Sequence, residues 1–148
     1  MQISAGILPY RRRHGKLELY LAHMGGPFWR HKKRAWSIVK GEVEEGESLL
    51  DAAIREFREE TGHSIEGTFL SLGSHKSSGK EIYVWAVEAD PPTEIRSNTF
   101  VLEWPPHSGE KVSFPEVDRA AWFEPEAARE VLVKSQLPFI ERLKKKLA

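Results

Sequence analysis

The sequence predicts an α/β fold in which a β-sheet is flanked by helices. Stretches with strand character lie on both sides of a central amphipathic segment, and further helical segments end the chain. This order of elements favours a layered α/β architecture over a helical bundle. The chain of 148 residues is long enough for one sizeable core, whereas two domains would each be small. We therefore expect a single domain over residues 1–148.

Alternating or continuous apolar residues indicate where the strands lie. We predict strands at 2–10, 16–24, 35–40, 67–76, 80–90 and 120–124. A basic loop containing Gly and Pro is predicted at 25–34. Two Pro-rich connections are predicted at 91–98 and 103–119, on either side of a short apolar stretch.

The central amphipathic segment predicts a helix over Ser48–Thr61. Its apolar side chains share one face: Leu50, Ala53, Ile54, Phe57 and Thr61. Gly62 stands where a C-terminal cap belongs. Two more helices are expected at 125–133 and 137–147, and the lysines at the end of the second suit the helix dipole.

Composition excludes several classes of function. Basic and acidic residues both number 22, so the net charge suggests no general nucleic-acid or membrane partner. The absence of cysteine excludes disulfides, thiolate zinc sites and cysteine nucleophiles. The histidines form no H-x-x-x-H pair, and the chain has no G-x-S-x-G motif. We expect a cytoplasmic monomer or homodimer that binds no membrane.

Three glutamates in the central helix gather like charges on one side. Glu56, Glu59 and Glu60 stand at i, i+3 and i+4, beside the apolar stripe. Arg55 can relieve Glu59 at i+4, but one cation does not neutralise three carboxylates. All-oxygen sites suit Mg²⁺ or Mn²⁺, which often link carboxylates to phosphates. The pattern therefore indicates metal-assisted phosphate chemistry, with a solvated acidic helix face as the alternative.

The residues around these glutamates resemble the signature of the Nudix hydrolases. Gly41, Glu47 and the run Arg55–Gly62 (REFREETG) have the spacing of that motif. His63 departs from it, since the family usually has an aliphatic residue there. The resemblance implies an α/β/α sandwich with a mixed β-sheet flanked by helices. It also implies Mg²⁺- or Mn²⁺-dependent hydrolysis of a phosphoanhydride bond in a nucleoside diphosphate linked to a group X.

The resemblance further implies which residues bind the metal. Glu56 and Glu60 match the family's principal metal ligands. Glu59 matches a further ligand or a carboxylate that orients water, and the backbone carbonyl of Lys40 matches one that completes the metal's shell.

Other residues match supporting and catalytic roles. Glu47 and Arg55 match a pair that braces the loop against the helix, and Gly41 matches a tight turn. In many members the general base lies outside the motif, shortly before a Trp in the last strand. Glu116 and Asp118 occupy that region, and we favour Glu116.

Candidate substrate contacts lie on both sides of the motif. The run AWSIVKGE resembles the W-x-x-P-K-G segment of diadenosine and diphosphoinositol polyphosphate hydrolases, with Val39 in place of proline. In that comparison the side chain of Lys40 would reach phosphates. Lys33 and Arg34 of the basic loop are predicted to hold a polyphosphate tail. Tyr83 is a candidate for stacking on a base, with strand packing as the alternative.

Aromatic residues elsewhere leave the base contact open. Phe28 and Trp29 are further candidates to stack on a purine, with no ground for preferring them to Trp85 or Trp104. We expect the substrate to be a nucleoside triphosphate or a dinucleoside polyphosphate. A diphosphoinositol polyphosphate and an RNA 5′ end are less favoured alternatives, and a non-catalytic nucleotide-binding or regulatory module is the competitor from another class.

Overall fold

The computed structural model describes residues 1–148 and contains nine strands and three α-helices. The strands are β1 Gln2–Arg13, β2 Lys16–Met24, β3 Trp36–Ser37, β4 Val39–Glu42, β5 Phe69–Ser77, β6 Lys80–Glu88, β7 Thr99–Glu103, β8 Lys111–Pro115 and β9 Val117–Phe123. The α-helices are α1 Leu49–Thr61, α2 Pro125–Val131 and α3 Pro138–Leu147, and short 3₁₀ turns cover Pro27–Trp29 and Lys134–Gln136. None of the helices has the length and apolar character needed to cross a membrane.

A mixed sheet of seven strands forms the centre of the molecule. Its main order is β3-β2-β1-β6-β5, with β4 paired to β1 and β9 paired to β2. Strand β1 is parallel to β6 from Gln2 to Tyr10 and antiparallel to its other partners. Strand β6 occupies one edge of β1. Strands β4 and β2 share the other edge, where β4 pairs with Ser4–Ile7 and β2 pairs with Tyr10–Arg13. Strands β7 and β8 form a separate two-stranded hairpin.

Apolar layers cover both faces of the sheet. Adjacent residues of β1 face opposite sides, so Ile7 packs in one layer and Leu8 in the other. Phe57 of α1 belongs to the first layer. Phe139 and Leu143 of α3 belong to the second. The predicted α/β/α sandwich with a mixed sheet is therefore confirmed.

The structure corrects the prediction that residues 103–119 form only a loop. They include β8 and the beginning of β9. Strand β8 forms because it has an apolar partner in β7: Phe100 lies opposite Phe114, and Leu102 lies opposite Val112. Cross-strand pairing within this hairpin overrides the Pro and Gly residues in the connection.

Two smaller boundaries also differ from the prediction. The strand predicted at 35–40 is divided at Ile38, whose backbone N–H donates to Oε1 of Gln136 at 2.7 Å instead of pairing in the sheet. Helix α2 ends at Val131, because Leu132 already has an extended backbone and the Val133 N–H donates to the Trp36 carbonyl.

Candidate active site

Helix α1 is fixed at both ends by capping residues. The side chain of Ser48 accepts a hydrogen bond from the Asp51 backbone N–H at 3.2 Å. At the other end Gly62 has φ 81°, a left-handed conformation that glycine adopts without strain. Phe57 on the inner face is fully buried against the sheet. Glu60 therefore emerges at the rim of the core, one turn beyond Glu56.

Arg55 links the loop before α1 to the carboxylates on the helix. Its Nε and Nη2 donate to the two oxygens of Glu47, at 2.7 and 3.0 Å. Nη1 donates to Glu59 at 2.6 Å and to Glu56 at 2.9 Å. Nη2 also donates to the Glu42 backbone carbonyl at 3.0 Å. One guanidinium thus connects three carboxylates, and it lowers the pKa of Glu47.

Glu60 has no cation in contact with it. It is buried, and its only side-chain hydrogen bond is accepted from the Ser97 hydroxyl at 3.3 Å. Burial, followed by the charges of Glu116 and Glu56, raises the pKa of Glu60 to about 8. Burial also raises the pKa of Glu56, although Arg55 opposes this change. The rim of α1 therefore carries acidic groups whose charges are poorly compensated.

Gly41 allows the carboxylate of Glu56 to lie directly against strand β4. A Cβ atom at position 41 would overlap the Glu56 carboxyl group. Only glycine permits this approach, which fixes Glu56 next to the backbone that follows Lys40.

A cleft of about 190 Å³ opens beside these carboxylates. Lys40, Glu60 and Glu116 provide its charged groups. Its wall includes Trp29 from the β2–β3 loop and Phe100 from the β7–β8 hairpin. Buried Glu60, a lysine and the exposed carboxylate of Glu116 thus meet in one concave site, which is the usual setting for acid–base and phosphate chemistry.

A second cavity of about 250 Å³ lies on the other side of Lys40. Its polar lining includes His75, Ser77, Ser78 and Lys80, together with the carboxylate of Glu81. Burial, followed by the charge of Lys80, lowers the pKa of Lys40, while Glu60, Glu56 and Glu116 oppose this change. Lys40 therefore separates an acidic cleft from a cavity rich in hydroxyl and ammonium donors.

Comparison with protein-family models identifies residues 1–143 as a NUDIX domain. The chain belongs to the NUDIX domain family. The predicted membership of the Nudix hydrolases is thereby confirmed.

Individual relatives agree with this assignment. The asymmetrical bis(5′-nucleosyl)-tetraphosphatase of Caenorhabditis elegans is 28% identical over 108 residues, which cover 68% of this chain and 75% of the relative. A crystal structure of a C. elegans Ap4A hydrolase binary complex has a TM-score of 0.69 at 23% identity, covering 99% of this chain and 98% of that one. The NUDIX domain of Shewanella oneidensis NrtR, complexed with ADP ribose, has a TM-score of 0.65 at 14% identity, covering 100% and 89%. The two structural comparisons show a shared fold.

In this Nudix domain the two candidate bases differ in position. Glu116 lies between β8 and β9 and lines the cleft with Glu60. Asp118 instead accepts a hydrogen bond from Nδ1 of His23 at 2.9 Å and lines a different pocket with Arg119. The structure thus brings Glu116, but not Asp118, to the cleft.

Three predicted substrate contacts are not brought to the cleft. Arg34 donates hydrogen bonds to the carbonyls of Arg129 and Leu132 at the end of α2, where unpaired carbonyls attract a cation. Lys33 is exposed and pairs with Glu130 of the same helix. Tyr83 lies half-buried in β6 and does not line the cleft. The side chains of Lys33 and Arg34 therefore contact α2 and do not line the cleft.

Val39, which departs from the W-x-x-P-K-G segment, and His63, which departs from the Nudix motif, both have structural explanations. Val39 is 1% exposed and packs in the layer on the α1 side of the sheet, so an apolar residue suits that position. His63 uses Nε2 to contact the Glu94 backbone carbonyl at 2.6 Å, which ties the end of α1 to the following connection.

Sequence reasoning missed several residues of this site. Ser97, which donates to Glu60, lies in a polar connection with no distinguishing pattern. Lys80 begins a strand after a turn and resembles any exposed lysine in the sequence. Phe100 belongs to the short apolar stretch between the two Pro-rich connections, but only the pairing of β7 with β8 places it in the wall of the cleft.

Proposed function

We propose that this Nudix domain, residues 1–148, hydrolyses a phosphoanhydride bond of a dinucleoside polyphosphate or a nucleoside triphosphate. The observation that carries the proposal is the cleft in which buried Glu60 meets Glu116 and Lys40. The cavity beyond Lys40 supports it, because hydroxyl and ammonium donors suit a chain of phosphates. The relative named as an asymmetrical bis(5′-nucleosyl)-tetraphosphatase favours the dinucleoside substrate.

The acidic residues fit Mg²⁺ or Mn²⁺ as a cofactor. The donors are carboxylate oxygens, the type that hard divalent cations prefer. Burial raises the pKa of both Glu56 and Glu60, and no cation contacts Glu60. The structure contains no group of three acidic or histidine side chains arranged to bind a metal ion. Arg55 instead donates hydrogen bonds to Glu56 and Glu59. We propose that Glu56 and Glu60 hold the metal, with Glu59 and the Lys40 carbonyl as further ligands.

A divalent cation bound there would polarise phosphoryl oxygens and lower the pKa of water. The side chains of Lys40 and Lys80 bind and orient the phosphates in this proposal, because both line the cavity next to the cleft. Glu116 accepts the proton of the attacking water, since its carboxylate is exposed at the cleft and is not paired with a cation. Arg55 and Glu47 keep Glu56 and Glu59 in position.

The test is release of phosphate, pyrophosphate or nucleotide from a substrate panel, in MgCl₂ or in EDTA. The panel holds nucleoside triphosphates, diadenosine polyphosphates, ADP-ribose, diphosphoinositols and triphosphorylated RNA. We expect Mg²⁺-dependent turnover of diadenosine tetraphosphate or of a nucleoside triphosphate. Glu60→Gln should nearly abolish it, while Glu45→Gln should not, because Glu45 is exposed and makes no ion pair. Turnover confined to another substrate, or binding of nucleotide without turnover, would contradict the proposal.

A further inference from the structure

A large apolar chamber lies between the β2–β3 loop and the β7–β8 hairpin. Its volume is about 640 Å³, within the range of small-molecule sites. Its walls include Phe28, Trp29, Phe100, Leu102 and Trp104, and we call this chamber the hairpin pocket. We propose that the hairpin pocket binds the nucleobase of the substrate, an inference that rests on the proposed function.

The hairpin pocket adjoins the catalytic cleft and shares part of its wall. Gly25, Trp29 and Phe100 line both of them. The cleft on the far side of these residues contains Glu60 and Glu116. A nucleotide with its base in the hairpin pocket therefore extends its phosphates toward the acidic groups. This adjacency favours a nucleobase over an unrelated apolar ligand, because a nucleotide carries an aromatic base for one cavity and phosphates for the other.

The aromatic residues of the hairpin pocket suit a flat, conjugated ligand. Phe28 is 63% exposed, which is unusual for a large apolar side chain. Its ring meets Trp29 edge to face, with centroids 5.2 Å apart. The Lys32 ammonium lies 3.8 Å from the Phe28 ring centroid. An exposed ring beside a cation offers stacking to a base and charge to the nearby phosphates.

The hairpin holds the pocket open without help from a ligand. Phe100 and Leu102 face the pocket, whereas Val101 between them is 67% exposed and does not line it. The Phe100 ring lies so close to Gly26 that a side chain at position 26 would clash with it. Backbone hydrogen bonds join Glu116 to Asn98 at 2.8 Å and to Gly25 at 2.9 Å. Because loop and hairpin are already joined, little ordering is needed when a base binds.

Steady-state kinetics of Phe28→Ala test this proposal. We expect KM for diadenosine tetraphosphate to rise about tenfold or more with kcat little changed, because alanine removes a stacking surface outside the reacting groups. Phe28→Tyr should restore KM, since it keeps an aromatic ring. Val101→Ala should match the wild type, because it changes the same hairpin on the face away from the pocket. Phe28 is exposed, so none of these changes removes a core residue.

A binding measurement separates this proposal from the proposed function. Adenosine 5′-diphosphate is titrated in EDTA while the tryptophan fluorescence of the protein, to which Trp29 and Trp104 of the pocket contribute, is followed. Ribose 5-phosphate is the ligand that lacks a base. Saturable quenching by the nucleotide alone, weakened in Phe28→Ala, supports the base site even if no substrate is hydrolysed. Turnover of a nucleotide with an unchanged KM in Phe28→Ala, or equal quenching by both ligands, would overturn the base site and leave the hydrolytic proposal standing.

Discussion

Replacing Glu60 by glutamine measures the electrostatic cost of the acidic site. Glu60 is 8% exposed. Its pKa is raised from 4.5 to about 8, first by burial and then by Glu116 and Glu56. A carboxyl group whose pKa is higher in the folded than in the unfolded protein destabilises the fold once it ionises. The loss of stability begins as the pH rises above the pKa of the unfolded state, and it stops growing when the pH passes the pKa of the folded state. Each pKa unit corresponds to about 1.4 kcal/mol. The cost is therefore roughly 3 kcal/mol at pH 7 and about 5 kcal/mol above pH 8.

Glutamine has nearly the same volume but cannot ionise. In EDTA, we expect Glu60→Gln to raise the free energy of unfolding by roughly 3 kcal/mol at pH 7, by more at pH 9, and by almost nothing at pH 4. Urea unfolding followed by tryptophan fluorescence at these three pH values measures the change. Glu45→Gln is the matched control, because Glu45 is exposed in the adjoining loop. A gain that is the same at all three pH values would refute the reasoning. MgCl₂ should stabilise the wild type more than Glu60→Gln.

Three further changes test the arrangement around Glu60. Gly41→Ala should lower kcat by about 100-fold with little change in Tm, measured by turnover and calorimetry, because the methyl group displaces the Glu56 carboxylate. Arg55→Lys should lower kcat about tenfold and weaken Mg²⁺ activation, since an ammonium cannot bridge these carboxylates as a planar guanidinium does. Glu116→Gln should lower kcat about 100-fold, whereas Asp118→Asn should leave kcat unchanged. Equal effects at positions 116 and 118 would contradict the assignment of the base.

The parts of the site that depend on local sequence could be predicted. Helix α1, its cap at Gly62 and the neighbourhood of Arg55 and Glu59 follow from spacing along one helix. The burial of Glu60 could be anticipated only in part. Its position beside the apolar stripe placed it at the rim of the core, but its contact with Ser97 joins residues 37 positions apart.

The parts of the site that depend on contacts between separate segments of the chain could not be predicted. Strand β8 is only five residues long and becomes a strand by pairing with β7. Only that hairpin brings Trp104 and the other aromatic residues of the hairpin pocket together. Arg34 similarly looked like a phosphate ligand, because its sequence neighbours are basic. Its partner carbonyls at Arg129 and Leu132 are more than ninety residues away along the chain.

Lys40 lies at the boundary between two unbalanced charge distributions. On one side, Glu60 and Glu56 have raised pKa values, and Arg55 pairs with Glu56 but not with Glu60. On the other, burial and the charge of Lys80 lower the pKa of Lys40 despite the nearby carboxylates. Lys40 and Lys80 line one cavity, in which Glu81 is the single carboxylate. A neutral ligand would relieve neither imbalance. A polyphosphate bound with a divalent cation would relieve both, and each partner would then favour binding of the other. The charge pattern therefore argues for an anionic substrate that binds together with a metal.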